Sequence, residues 1–123
     1  MLAAAAAGAQ TCPWMNAETA AGILGQPVQP KSVCDFRSAT ASLRIEMGAT
    51  HSCGARATLL KGIGNEAVAC NEERHGQRLE FLAGRVRDRT FVVEISTKDR
   101  SATPAALLEK VRRAAEQVAG GLF

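Results

Sequence analysis

The clearest alternation of apolar and polar positions runs over Ser42–Gly48, where Leu43, Ile45 and Met47 interleave with Arg44 and Glu46. A period of two sends successive side chains to opposite faces, so this segment predicts a half-buried strand. A preceding strand is expected over Lys31–Arg37, with Ser38–Ala41 as the hairpin connection. Gln77–Val86 and Thr90–Thr97 make the strongest pair, a hairpin turning at Arg87-Asp88-Arg89, in which Leu79 and Phe81 are expected to meet Phe91, Val93 and Ile95. A further strand is expected over Asn65–Glu73, after Gly62-Ile63-Gly64, whose glycines suit a turn needing positive φ. Thr50–Lys61 carries no clean period, and reads as loop with one helical turn.

Two segments switch to the helical period. Asn16 can cap a helix through its side-chain oxygen, Glu18 follows in the first turn, and Ala20, Ile23 and Leu24 share a face before Gly25 and Pro27 end it. Near the other end, Thr103 caps and Pro104 opens a helix to about Ala119, with Leu107, Leu108, Val111, Ala115, Val118 and Leu122 on its buried face and Gly120-Gly121 as its stop. Helix, strands in hairpin order, then helix predict an α+β fold: an antiparallel sheet of about five strands with N- and C-terminal helices packed on one face.

Composition adds a constraint on the core. The 123 residues suit one domain, and the hydrophobic share of 46% is ordinary, but the only aromatics are Trp14, Phe36, Phe81, Phe91 and Phe123. The core is therefore largely aliphatic and rich in alanine, and gains from crosslinks. Four cysteines, Cys12, Cys34, Cys53 and Cys70, supply two disulfides in an oxidising compartment. Three pairings are open. The local one, Cys12 with Cys34 and Cys53 with Cys70, is preferred because each bridge closes a loop of about twenty residues, worth roughly 3 kcal/mol by chain entropy.

The first residues point to the same compartment. Leu2–Ala7 is an apolar run and Ala7-Gly8-Ala9 has the small-x-small pattern that signal peptidase cleaves. Residues 1–9 thus read as the end of a signal peptide, whose missing basic segment would lie upstream, and residues 10–123 as a single α+β domain. Ala9-Gln10-Thr11 before Cys12 is not the run expected ahead of a lipid-modified cysteine, and no apolar run reaches the roughly 18 residues of a transmembrane helix. The expected location is secreted, periplasmic or cell-envelope.

Cys12-Pro13-Trp14, leading through Ala20-Ala21-Gly22-Ile23-Leu24-Gly25 to Cys34, together with Gly62-Ile63-Gly64-Asn65-Glu66-Ala67, resembles small cell-envelope lipoproteins and secreted proteins of unknown function, best known from actinobacteria. The likeness spans most of the chain beyond residue 9. It implies an exported α+β domain related to the Mog1 and PsbP-like folds, and brings no catalytic residues with it. The chain departs from that pattern by lacking a lipid-attachment signal at Cys12 and by carrying Cys53 and Cys70 as an additional pair.

Candidate chemistry is sparse. Gly62-Ile63-Gly64 beside Lys61 lacks the order of a phosphate-binding loop, no Gly-x-Ser-x-Gly elbow is present, and Glu72-Glu73 on a strand would point to opposite faces. No catalytic residues and no cofactor are expected. His51, Cys53, Cys70 and His75 could together hold zinc or serve a small enzyme, but their spacing fits no common finger, and oxidised cysteines cannot ligate. The sharper candidate is Arg85, Arg87 and Arg89, spaced by two around a hairpin turn, where guanidinium groups could meet phosphate or carboxylate; charged strand ends that discourage edge pairing are the competing explanation. Eleven arginines and four lysines against twelve acids leave a net charge of +3, too mild and scattered for a nucleic-acid interface. The expected role is a non-catalytic exported domain binding a protein partner or an anionic envelope ligand, through the open sheet face or the arginine hairpin.

Overall fold

A computed structural model describes residues 11–123; the signal-peptide end expected over residues 1–9 lies outside them. Helix α1 (Ala17–Leu24) begins where Asn16 Oδ1 accepts from the Thr19 amide at 2.8 Å, and ends at Gly25, whose φ of 77° lets its N–H reach Ala21 O. Seven strands follow: β1 (Gln29–Ser32), β2 (Asp35–Arg37), β3 (Ala41–Met47), β4 (Thr58–Leu60), β5 (Glu66–Arg74), β6 (Gln77–Val86) and β7 (Arg89–Thr97). Helix α2 (Pro104–Leu122) closes the order, its Thr103 Oγ1 accepting from the Ala106 amide.

The strands form one antiparallel sheet in the order β1-β2-β3-β7-β6-β5-β4. The α+β class and the terminal helices are as expected, but the count of about five strands is corrected to seven. The segment expected as one strand over Lys31–Arg37 is a small hairpin, because Cys34 at φ 60° turns the chain and bonds to Cys12. The second addition is β4: after the anticipated helical turn, a 3-10 turn at Gly54–Arg56, Thr58–Leu60 pairs with the outer edge of β5. Such an edge strand makes half its hydrogen bonds to solvent, so its sequence carries little apolar signal. The glycine stop expected near residue 120 is also corrected: α2 continues to Leu122, since the Trp14 ring packs where a Cβ on Gly121 would stand 3.5 Å away and Leu122 reaches the core.

Both helices cover one face of the sheet. There Leu43, Phe91, Val93, Ile95 and Leu82 meet Val111, Ala115 and Val118, all fully buried. Pairing across β6 and β7 sets Phe91 opposite Gly84, Val93 opposite Leu82 and Ile95 opposite Glu80. Leu79 and Phe81 instead oppose Ser96 and Glu94, so the expected meeting of Leu79 and Phe81 with Phe91, Val93 and Ile95 does not occur. A shift of one residue exchanges the faces of a whole strand. The register is selected by volume, because a Cβ at Gly84 would lie 2.6 Å from Phe91 Cζ.

Leu79 and Phe81 are nevertheless buried, in a second cluster on the outer face with Cys70 and Val92. The cover is the chain between β3 and β4, which crosses that face to reach the far edge. Ala49 and Cys53 pack there, and the Cys53–Cys70 disulfide fastens the crossing to β5. With Cys12–Cys34 this realises the local pairing, and no described cysteine is free. No helix among the described residues is long and apolar enough to cross a membrane.

Candidate functional sites

The crossing segment covers only the β5-β6 side of the outer face. Beyond it, over β2, β3 and the neighbouring end of β7, the sheet is open and concave, with a cleft of about 420 Å³. Strand parity fills it with charge. Arg37 and Ser42 are paired across β2 and β3, Arg44 and Glu94 across β3 and β7, and Ser42 with Ser96, so all these side chains share the outer face. Lys98, just beyond β7, completes the lining. Arg37 touches Asp35 at 3.5 Å and Arg44 touches Glu94 at 3.9 Å, both long for charge-assisted bonds, while Lys98 has no ion pair among the described residues. Three cations thus face one lining carboxylate, and counting Asp35 beside the rim still leaves one positive charge in excess. The Ser42 and Ser96 hydroxyls bond to each other at 2.6 Å, which leaves one O–H free to donate at the floor.

Arg85, Arg87 and Arg89, expected as one cluster, are placed differently. Arg85 is on the outer face, its Nε donating to Glu66 at 3.2 Å and its Nη1 to the Arg87 carbonyl. Arg87 occupies the turn at φ 59°, its amide donating to Asn65 Oδ1. Arg89 pairs with Val86 and so lies on the helix side, its guanidinium 5.3 Å from the centre of the Trp14 ring. The glycine turn nearby is structural: Gly62 and Gly64 have φ of 85° and 59°, and a Cβ on Gly64 would stand 2.5 Å from Arg85 O.

At the anchored end of the crossing segment, His51 stacks on Phe81 with ring centroids 3.9 Å apart and planes inclined by 12°. Its Nε2–H donates to Glu72 Oε2 at 2.8 Å, and Arg74 donates to Glu72 Oε1 from Nη2 at 2.6 Å and from Nε at 3.1 Å. Burial works to raise the Glu72 pKa, but the hydrogen bonds and charges of Arg74 and His51 outweigh it and hold the carboxyl below its ordinary value. Ligand atoms of His51, Cys53 and Cys70 lie within 4.8 Å of one another. His75, expected as a fourth member, sits instead at φ 51° in the tight β5-β6 turn with Gly76. Glu73 faces the other way, toward Arg78 at 3.8 Å.

Glu80 is not among the candidates named from the sequence. It is 3% exposed, on the helix face of β6 beside the start of α2, and its Oε1 has no hydrogen-bond partner among the described residues. Burial pushes its pKa from 4.5 up to about 7. The carboxyl borders a cleft of about 240 Å³ that also touches Arg56, Thr58, Asn71 and Leu108. The available signal was Leu79-Glu80-Phe81-Leu82, an acid bracketed by apolar residues on both sides, which a strand buried on both faces must enclose.

Compared with known protein families, curated proteins and solved structures, the chain matches none.

Proposed function

We propose that the protein is an exported, non-catalytic binding module of the cell envelope, and that its ligand is an anionic group, carboxylate or phosphate in class, held in the open half of the outer sheet face. The observation that carries this reading is the convergence of Arg37, Arg44 and Lys98 on one polar cleft with the hydroxyls of Ser42 and Ser96 at its floor. Guanidinium forks and an ammonium suit such oxygens, and the long contacts to Asp35 and Glu94 leave donors to spare. The arginine hairpin has less to offer, since Arg85 and Arg89 are committed to Glu66 and to Trp14 on opposite faces. Two disulfides support export, as does the resemblance to secreted envelope proteins.

Titration with citrate and with inorganic phosphate, followed by backbone amide shifts, tests the site. Arg37→Gln, Arg44→Gln and Lys98→Gln combined are expected to weaken binding by at least about tenfold. Arg85→Gln, Arg87→Gln and Arg89→Gln combined are expected to leave it unchanged, and the reverse result moves the site to the hairpin. For export, the intact mass of the protein from its native source is expected to show a mature chain with two disulfides; recovery from cytosol with four free thiols would remove that part of the reading.

A further inference from the structure

The residues around Cys53–Cys70 do more than hold a staple. Disulfides need no histidine, yet His51 is fixed beside this one by two contacts, the stack on Phe81 and the bond to Glu72, and Glu72 is itself clamped by Arg74. With Nε2–H donating to the carboxylate, Nδ1 is the nitrogen left with a lone pair. A carboxylate fixing the tautomer of a histidine is the outer arrangement that metal-binding histidines use. Donor atoms of His51, Cys53 and Cys70 already lie within 4.8 Å of one another. Around tetrahedral zinc such donors stand about 3.5–3.8 Å apart, so after reduction the two sulfurs part from bonding distance by roughly 1.7 Å while the imidazole closes on them by up to roughly 1 Å. Cys70 is held in the middle of β5 opposite Phe81, whereas Cys53 lies on the crossing segment before the 3-10 turn, where the backbone can make that adjustment.

We propose that this is a redox-gated zinc site, closed to metal while Cys53–Cys70 is oxidised and opened by a dithiol reductant. One thiolate of the reductant attacks Sγ of Cys53, the less buried of the two residues, the Cys53–Cys70 bond breaks, and its electron pair leaves on Cys70 Sγ. The second thiolate of the reductant then closes its own disulfide and releases Cys53. Two electrons have passed to the protein, and the reductant is oxidised to a cyclic disulfide. Zinc binds the two thiolates and the His51 imidazole, any thiol protons going to solvent, with water as fourth ligand at the exposed side. Glu72 and Arg74 act as positioning residues for His51.

The test uses the chain reduced with a dithiol, freed of reductant without oxygen, and titrated with Co²⁺ as a spectroscopic stand-in for Zn²⁺. The expected result is one equivalent bound with a thiolate charge-transfer band, absent from the oxidised protein and from Cys53→Ser/Cys70→Ser. His51→Gln and Glu72→Gln are each expected to weaken binding by about tenfold or more. Alkylation mapped by mass spectrometry gives a second readout that needs no variant: Zn²⁺ is expected to protect Cys53 and Cys70 but not Cys12 and Cys34. Absence of the band, its persistence in Cys53→Ser/Cys70→Ser, or protection of Cys12 and Cys34 instead overturns the proposal.

Discussion

Replacing Phe91 by alanine is expected to cost about 3–5 kcal/mol of stability, measured as a lower urea midpoint at unchanged slope. The side chain is fully buried, under α2 and against Gly84 on the neighbouring strand, so truncation removes a large transfer term and opens a cavity that two helices and a sheet cannot readily fill. Gly84 is the reciprocal element. A Cβ there would meet the ring at 2.6 Å, and Gly84→Ala is expected to cost about 1–3 kcal/mol by overpacking. The two substitutions are expected to couple: in the Phe91→Ala background the new methyl enters empty space, and the double variant is less destabilised than the sum by about 1 kcal/mol or more. Strict additivity would show that ring and glycine do not set the register together.

Glu80→Gln is expected to remove a pH dependence worth about 3 kcal/mol, taken as the difference in stability between wild type and variant across the titration. The folded pKa is raised by burial to about 7, from 4.5 in the unfolded chain, so between those values the folded protein holds a proton that the unfolded chain has released. The stability contributed by neutral Glu80 is therefore complete below pH 4.5, declines as pH rises, and is gone above about 7. Wild type is expected to lose stability relative to Glu80→Gln over that window, and at about pH 8 the variant is the more stable protein. Groups with lowered pKa, Glu72 and Asp99, act in the opposite sense at acid pH, which is why the comparison is made against the variant. Parallel curves for the two proteins would mean that Glu80 reaches water.

Much of the local structure was legible because it is written in near neighbours. Asn16 and Thr103 cap their helices, Gly25 ends the first, the strand expected over Ser42–Gly48 is found over Ala41–Met47, and each cysteine bonds a partner close in sequence. The edge hairpin and β4 were less legible, since short exposed strands place few side chains in a core and leave no period to read. An open sheet face was expected, but the residues that line its cleft were not legible. Arg37, Arg44 and Lys98 are unremarkable in order along the chain, and become one surface only when β2, β3 and β7 are laid side by side. His51 is similar: its partners Glu72 and Arg74 lie more than twenty residues on, and only the crossing of the outer face brings them together.

By itself the amino-acid order determined that alternate residues of β6 and β7 would separate into two sets, that helices would flank the sheet, and that sulfur bridges would close local loops. Which set of β6 faced the helices was decided in three dimensions. Parity is a property of a single strand, but its sign depends on a neighbour's register, and that sign follows from the space Phe91 takes above Gly84. The same choice sent Leu79 and Phe81 outward to need the disulfide-anchored cover, and turned Glu80 inward to be buried without a partner.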